Sequence, residues 1–166
     1  MNKKIISLLC AISCSFIWGT AFIAQDMGMD FIGPYTFSAA RLALGFFALL
    51  PFFFIFEFNK VKKINLDKKI ITAYLFLLGF FLAGGNIFQQ VSLLYTDVAN
   101  SAVFTVLYVV IVPVIAYFLF SKKIHNSVWP SVLMCLVGGL LLSELDNIRV
   151  RFGDSLVIIG AFFWAF

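Results

Sequence analysis

A single basic side chain lies within a long apolar stretch of the sequence. Arg41 is the only charged residue among the twenty-two from Tyr35 to Phe56. An arginine at the centre of a membrane helix costs about 2.5–3.5 kcal/mol on insertion scales, so it needs a paired or solvated environment. A guanidinium in a wet cavity can bind an anionic group such as a carboxylate. The alternative is that Arg41 reaches lipid headgroups or backbone carbonyls and binds no ligand.

Neutral hydrogen-bonding side chains occur in other apolar stretches at about the depth of Arg41. Asn86 and Gln90 lie four residues apart, as do Ser101 and Thr105, so each pair shares one face of a helix. We expect these side chains to orient a substrate, with two tryptophans flanking its cavity. The predicted binding residues are Trp18, Thr20, Arg41, Asn86, Gln90, Ser101, Thr105 and Trp164. The alternative is that the amides and hydroxyls only join helices, at about 0.6 kcal/mol per bond.

The sequence lacks the residues that several kinds of chemistry require. All eight acidic residues flank the apolar stretches or lie between them, so no carboxylate is placed to carry a proton in mid-membrane. The three cysteines lie within apolar stretches without a CxxC pair, which predicts free thiols. The sequence contains one histidine and no HExxH, GxSxG or P-loop motif. We therefore predict no catalytic residue, no metal, no cofactor and no nucleic-acid partner.

Composition assigns the residues above to membrane helices. Apolar residues make up 63 % of the 166 residues and charged residues 12 %, and the mean hydropathy is +1.05. Soluble domains have about 45–50 % apolar and about 25 % charged residues. A helix needs about 20 mostly apolar residues to cross a bilayer, and none of the long runs alternates as a barrel strand does. The apolar stretches are Ile5–Ala24, Tyr35–Phe56, Ile70–Leu94, Val98–Ser121, Asn126–Ser143 and Ser155–Phe166.

These stretches predict an all-α polytopic membrane helix bundle with five complete transmembrane helices and the start of a sixth. Lysines gather at the N-terminus and after the second and fourth stretches, whereas the links after the first and third carry acids and no base. Because Lys and Arg accumulate on the cytoplasmic side, we expect a cytoplasmic N-terminus. The alternative of a cleaved signal peptide is disfavoured, since the first apolar run continues past Cys14.

Residues typical of helix ends and bends support this division. Gly33-Pro34, Thr96-Asp97 and Asp154-Ser155 are typical of helix starts. Pro113 removes one backbone hydrogen bond and predicts a kink in the fourth helix. Gly84-Gly85 predicts a loosened turn in the third.

Two short segments of the chain are similar. Ser15-Phe16-Ile17-Trp18-Gly19 in the first stretch is similar to Ala161-Phe162-Phe163-Trp164-Ala165 in the sixth. After an odd number of helices, a second copy of the same unit would insert in the opposite orientation. Inverted-repeat transporters are built in this way.

A series of short motifs resembles the EamA family of the drug/metabolite transporter superfamily. The motifs, in order, are Phe16–Thr20, Ala40-Arg41-Leu42, Ala99–Ala102, Pro113, Trp129 and Gly138-Gly139. The resemblance covers essentially the whole chain. It implies ten helices in two five-helix repeats of opposite orientation, and export of amino acids, related metabolites or drugs across the plasma membrane. Lys122-Lys123 departs from the family, which usually has an acidic residue at this place.

The resemblance divides the chain into residues 1–146, the first five-helix repeat, and residues 147–166, an external loop and the start of a second repeat. We expect a plasma-membrane transporter that moves small metabolites or drugs by alternating access. Its partners would be the lipid bilayer, a small-molecule substrate and a missing C-terminal repeat, so that the chain is part of a longer one. Two identical copies would need opposite insertion, which the lysine distribution disfavours. The alternative function is a non-transporting membrane assembly module or an inactive remnant.

Overall fold

The computed structural model describes residues 3–62, 67–121, 123–142 and 151–166, and these ranges contain helices and no strand. A π-helical turn, Phe53–Glu57, joins the second helix to the third. The helices are α1 Lys3–Met29, α2 Pro34–Phe52, α3 Phe58–Lys62, α4 Lys68–Ser92, α5 Val98–Thr105, α6 Tyr108–Phe120, α7 Val128–Leu142 and α8 Phe152–Ala165.

Four helical segments in the described ranges are long and apolar enough to cross a membrane. They are Lys3–Met29, Pro34–Val61, Lys68–Ser92 and Val98–Leu119. The shorter helices α7 and α8 are also apolar. The predicted all-α membrane helix bundle is therefore confirmed, and each of the six apolar stretches contains a helix. The predicted end of the fifth stretch at Ser143, the domain boundary at residue 146 and most of the external loop lie outside the described residues.

The interior of the bundle is polar and its exterior is apolar. Phe76 and Phe118 are each 76 % exposed, a position that lipid favours and water does not. In the described ranges the buried apolar residues are Phe22, Leu93, Val132, Val157 and Ala161. The buried polar residues are Gln25, Ser38, Asn86, Gln89, Gln90, Ser92, Thr96, Ser101, Thr105 and Asp154. This distribution is the reverse of that in a water-soluble domain.

Most of the predicted helix starts are confirmed. Gly33 precedes α2 with Pro34 in its first turn, and Asp97 precedes α5. α8 begins at Phe152, earlier than predicted, because Arg151 is its N-cap residue. The Asp154 carboxylate accepts a hydrogen bond from the Arg151 backbone N–H at 2.8 Å and so satisfies one free donor of the first turn.

The helix of the fourth stretch is irregular before its proline, whereas the helix of the third stretch is regular through its glycines. The fourth stretch is interrupted at Val106 and Leu107, where the helix changes to bonds between residues three apart, such as Val109 N–H to the Val106 carbonyl at 2.9 Å. Pro113 follows this break, inside α6. By contrast, α4 is continuous through Gly84 and Gly85, so it is not loosened there.

The two glycines of α4 instead allow α8 to approach closely. A Cβ atom on Gly84 would lie 2.4 Å from Cδ1 of Phe163, and one on Gly85 would lie 3.0 Å from Cδ1 of Trp164. On α8, a Cβ atom on Gly160 would lie 3.4 Å from the Gly85 carbonyl oxygen. Small residues at a membrane helix interface let two backbones come together in this way.

Candidate functional site

All of the predicted site residues except Thr20 lie around α4 or its neighbours, and α4 presents hydrogen-bonding groups in two directions. Asn86 and Gln90 bond to α2 and α1. Gln89 and Ser92 bond to α5. Because each residue of an α-helix turns about 100°, positions 86 and 90 share one face and 89 and 92 another.

Arg41, on α2, contacts the first of these two faces of α4. Its Nη2 donates a hydrogen bond to Oδ1 of Asn86, and the Asn86 amide Nδ2 donates to the Leu82 carbonyl at 2.8 Å. The second bond fixes the amide with its oxygen toward the guanidinium. A guanidinium has five N–H donors, and this contact uses one. Arg41 is only partly buried, so the arrangement can hold an anionic group beside Asn86.

Buried acceptor atoms lie on α1, α2 and α4. Gln90 Nε2 donates to the backbone carbonyl of Gln25 at 3.4 Å, and Gln25 Nε2 donates to the backbone carbonyl of Ala21 at 3.1 Å. Oε1 of both glutamines and Oγ of Ser38 are buried without a hydrogen-bond partner in the described part of the chain. A buried unsatisfied polar group costs about 1–3 kcal/mol, so these oxygens can accept hydrogen bonds from a ligand or from water.

The second face of α4 forms a closed network with α5. Gln89 Nε2 donates to Thr105 Oγ1 at 3.0 Å, and Thr105 Oγ1 donates to the Ser101 carbonyl at 2.7 Å. The hydroxyls of Ser92 and Ser101 are 3.2 Å apart. The structure thus brings Ser101 and Thr105 together, with both hydroxyls engaged in packing α5 on α4.

The two predicted tryptophans are in contact. The ring centroids of Trp18 and Trp164 are 6.0 Å apart and their planes meet at 61°, an edge-to-face arrangement. The Trp164 indole lies against Gly85, next to Asn86 on α4. Trp18 and Thr105 line a cavity of about 290 Å³ between α1 and the break after α5, together with Ser15, Gly19, Phe22, Ala102, Val106 and Tyr108.

Thr20 is the predicted site residue that the structure does not bring to the others. It is exposed, and its hydroxyl donates to the Ile17 carbonyl of its own helix at 2.9 Å. Such a bond within one turn leaves the hydroxyl directed along α1.

The sequence-based set omitted four buried polar residues of this region. Gln25 lies just beyond the apolar stretch that ends at Ala24, but α1 continues to Met29 and carries the residue into the bundle. Ser38 lies three residues before Arg41 on α2, and Gln89 and Ser92 lie on either side of Gln90 on α4. The last three had the same signal as the chosen residues, a polar side chain in an apolar run.

The sequence-based set also omitted a buried carboxylate at the start of α8. Asp154 is 1 % exposed and accepts a hydrogen bond from the Thr96 hydroxyl at 2.5 Å. Its position at a helix start indicated a cap, but no sequence signal pointed to Thr96.

The described residues contain no cluster of three or more His, Cys, Asp or Glu side chains that could hold a metal ion. Cys10, Cys14 and Cys135 are free thiols, as predicted. A larger apolar groove of about 490 Å³ lies between α6 and α7, where Tyr117 and Trp129 line it. It contains none of the predicted site residues.

Apolar helices that enclose a polar interior with a partly buried arginine define a polytopic membrane protein. The chain belongs to the EamA-like transporter family, which it matches over residues 5–144. The resemblance found in the sequence is thereby confirmed.

Comparison with curated proteins gives the same class. An uncharacterized transporter of Archaeoglobus fulgidus is 26 % identical over 162 residues, which cover 98 % of this chain and 47 % of that protein. The uncharacterized transporters YoaV and YwfM of Bacillus subtilis are 28 % and 29 % identical, over 95 % and 97 % of this chain and 54 % and 53 % of their own lengths. The chain thus spans about half the length of the curated relatives it matches. No solved structure matches it.

Proposed function

We propose that this membrane transporter of the drug/metabolite type moves small metabolites or drugs, including amino-acid-like molecules with an anionic group, by alternating access. Arg41 would bind the anionic group. The observation that carries this proposal is the hydrogen bond from the Arg41 guanidinium to the oriented amide of Asn86. Transport of this kind would involve no chemical step.

The depth of Arg41 supports a binding role. The residue lies seven positions after Pro34, or about 10 Å along α2 at about 1.5 Å per residue. At that depth a guanidinium without partners would be strongly unfavourable. Asn86 supplies one acceptor, and an anionic substrate would supply the charge that a neutral amide cannot. Gln25, Ser38 and Gln90 would then bind donor groups of the same molecule.

We further propose that the protein lies in the plasma membrane with its N-terminus in the cytoplasm, and that the chain forms the first of two repeats. The distribution of lysines supports the orientation. The length of the relatives, about twice that of this chain, supports the second repeat.

Transport of paired substrates tests the role of Arg41. The complete protein is reconstituted in proteoliposomes, and counterflow of radiolabelled amino acids is compared with that of the corresponding amino-acid amides. We expect Arg41→Gln to reduce amino-acid counterflow about 10- to 100-fold, because a hydrogen bond to a charged group contributes about 1.5–3 kcal/mol. Amide counterflow should change much less, and Arg41→Lys should retain part of the activity.

Arg151→Gln is the matched control, since the Arg151 side chain is 48 % exposed and pairs with Asp97. It should leave both substrates unaffected. Equal transport of carboxylates by Arg41→Gln and the unchanged protein would contradict the anion-binding role. Absence of any counterflow in the unchanged protein would favour the non-transporting assembly module instead.

A further inference from the structure

Two tryptophans at corresponding positions of similar segments touch each other. Trp18 is the fourth residue of Ser15–Gly19, and Trp164 is the fourth residue of Ala161–Ala165. Their ring centroids are 6.0 Å apart. In a two-fold arrangement, a residue contacts its own counterpart only close to the symmetry axis. The contact therefore marks the place where an axis relating α1 to α8 would pass.

The depth of the contact agrees with an axis in the membrane plane. Trp18 lies fifteen residues after Lys3, or about 22 Å along α1, and Trp164 lies twelve residues after Phe152, or about 18 Å along α8. With α1 and α8 beginning on opposite sides of the membrane, both positions fall near the middle of a bilayer about 40–45 Å thick. Axes that relate inverted repeats lie at this level.

The packing of α8 on α4 shows which residues the first helix of a repeat places on its buried face. Gly153, Asp154, Val157, Gly160 and Ala161 are buried, and the Trp164 indole lies against Gly85. The positions 146 residues earlier, the difference between 164 and 18, lie on α1. They are Ser7, Leu8, Ala11, Cys14, Ser15 and Trp18.

Within the described ranges of the chain, the corresponding face of α1 is not covered in this way. Every residue from Lys3 to Thr20 is exposed, and Trp18 is 42 % exposed despite its contact with Trp164. An open groove of about 630 Å³ follows this part of α1, lined by Leu9, Cys10, Ser13, Cys14, Ile17, Trp18 and Ala21. Of the α1 positions that correspond to the packed face of α8, Cys14 and Trp18 line this groove.

We infer that this face of α1 docks on the third helix of an inverted second repeat, and that the Trp18 indole lies there on a small residue, as Trp164 lies on Gly85. The two repeats thereby exchange their first helices across the Trp18–Trp164 contact. This inference rests on the two-repeat organisation in the proposed function. The occupant is a helix of the same polypeptide, because the relatives are about twice as long and the lysine distribution disfavours a second copy of this chain in the opposite orientation.

Cysteine cross-linking in the complete protein tests the inference. Cys10, Cys14 and Cys135 are replaced by alanine, Trp18→Cys is introduced, and a second cysteine is moved along the third helix of the second repeat. We expect the highest disulfide yield at the position 146 residues beyond Gly85. Trp164→Cys combined with Gly85→Cys is the positive control, because the structure places these two residues in contact. Phe16→Cys, on the other side of α1 and 72 % exposed, is the matched negative control.

A second pair keeps the test valid where Trp18→Cys fails to fold. Gly160 corresponds to Cys14, and a Cβ atom on Gly160 would lie 3.4 Å from Cβ of Phe88. The native Cys14 with Trp18 intact should therefore cross-link at the position 146 residues beyond Phe88. Failure of both pairs alongside a working positive control would overturn the inference, and so would cross-links formed only between two copies of the protein. Cross-linking is measured without transport, so cross-linked protein that transports nothing would contradict the proposed function alone.

Discussion

The Thr96 hydroxyl donates a hydrogen bond to the Asp154 carboxylate over 2.5 Å, and this contact joins the turn after α4 to the first turn of α8. The Arg151 backbone N–H donates to the other carboxylate oxygen at 2.8 Å. Both oxygens of this fully buried group are therefore engaged. The contact holds α8 at the level where Trp164 meets Gly85.

Replacement of Thr96 tests how much this contact contributes. Thr96→Val removes the hydroxyl donor and leaves a buried carboxylate oxygen without it, so we expect the free energy of unfolding to fall by about 1–3 kcal/mol. Asp97→Asn is the matched control, because it breaks the exposed Arg151–Asp97 ion pair, worth about 0–1 kcal/mol. Unfolding in detergent micelles measures both. A larger loss for Asp97→Asn would contradict the assignment.

Gly153 tests the close approach of α8 to the same turn. A Cβ atom there would lie 2.7 Å from the carbonyl carbon of Tyr95 and 2.8 Å from the carbonyl oxygen of Ser92. Backbone atoms cannot rotate away, so Gly153→Ala should destabilise the protein by about 1–3 kcal/mol. Gly45→Ala has open space around its Cβ and should raise stability by about 0.5–1 kcal/mol through helix propensity. Equal melting temperatures for the two variants would show that α8 does not pack here.

The Gln89–Thr105 hydrogen bond predicts that substitutions of its two residues destabilise the protein to different extents. Thr105→Val leaves the buried Gln89 Nε2 without its acceptor, whereas Gln89→Leu leaves Thr105 still donating to the Ser101 carbonyl. We therefore expect Thr105→Val to be the more destabilising change. A double-mutant cycle should give a coupling of about 0.6 kcal/mol, as for other hydrogen bonds between membrane helices. Additive effects in the cycle would mean that the bond contributes nothing to stability.

Pro113 predicts where the backbone amides of the fourth apolar stretch, Val98–Ser121, are least protected from hydrogen exchange. The proline cannot donate to the Val109 carbonyl, and the break at Val106 and Leu107 lies on its N-terminal side. We expect Pro113→Ala to slow hydrogen–deuterium exchange in this segment. Pro51→Ala is the control, because α2 is regular before its proline. Unchanged exchange in Pro113→Ala would assign the break to packing rather than to the proline.

The sequence was sufficient to predict the helices. Apolar runs of membrane-spanning length leave little choice of secondary structure, because backbone groups in lipid must be satisfied within the segment. The helix starts at Gly33 and Asp97 coincide with residue types that are common there, Pro in a first turn and Asp at an N-cap position. The pairing of Arg41 with Asn86 agrees with their similar predicted depth.

The direction in which each side chain points was not predictable. Asn86 and Gln89 are three residues apart, yet one bonds to α2 and the other to α5. The rotation of a helix about its axis depends on the shapes of its neighbours, which hydropathy does not report. For the same reason Gly84-Gly85 suggested flexibility, whereas the rings of Phe163 and Trp164 occupy the space above it.

The polar segment of α4 links its neighbours mechanically. Asn86 and Gln89 lie on the same helix. A rotation of α4 that moves Asn86 away from Arg41 therefore also moves Gln89 relative to Thr105. A ligand that competed with Asn86 for Arg41 would therefore act on the packing of α4 against α5 without touching it. Coupling between Arg41 on one side of α4 and Thr105 on the other would require only a small rotation of α4 and no movement of a loop.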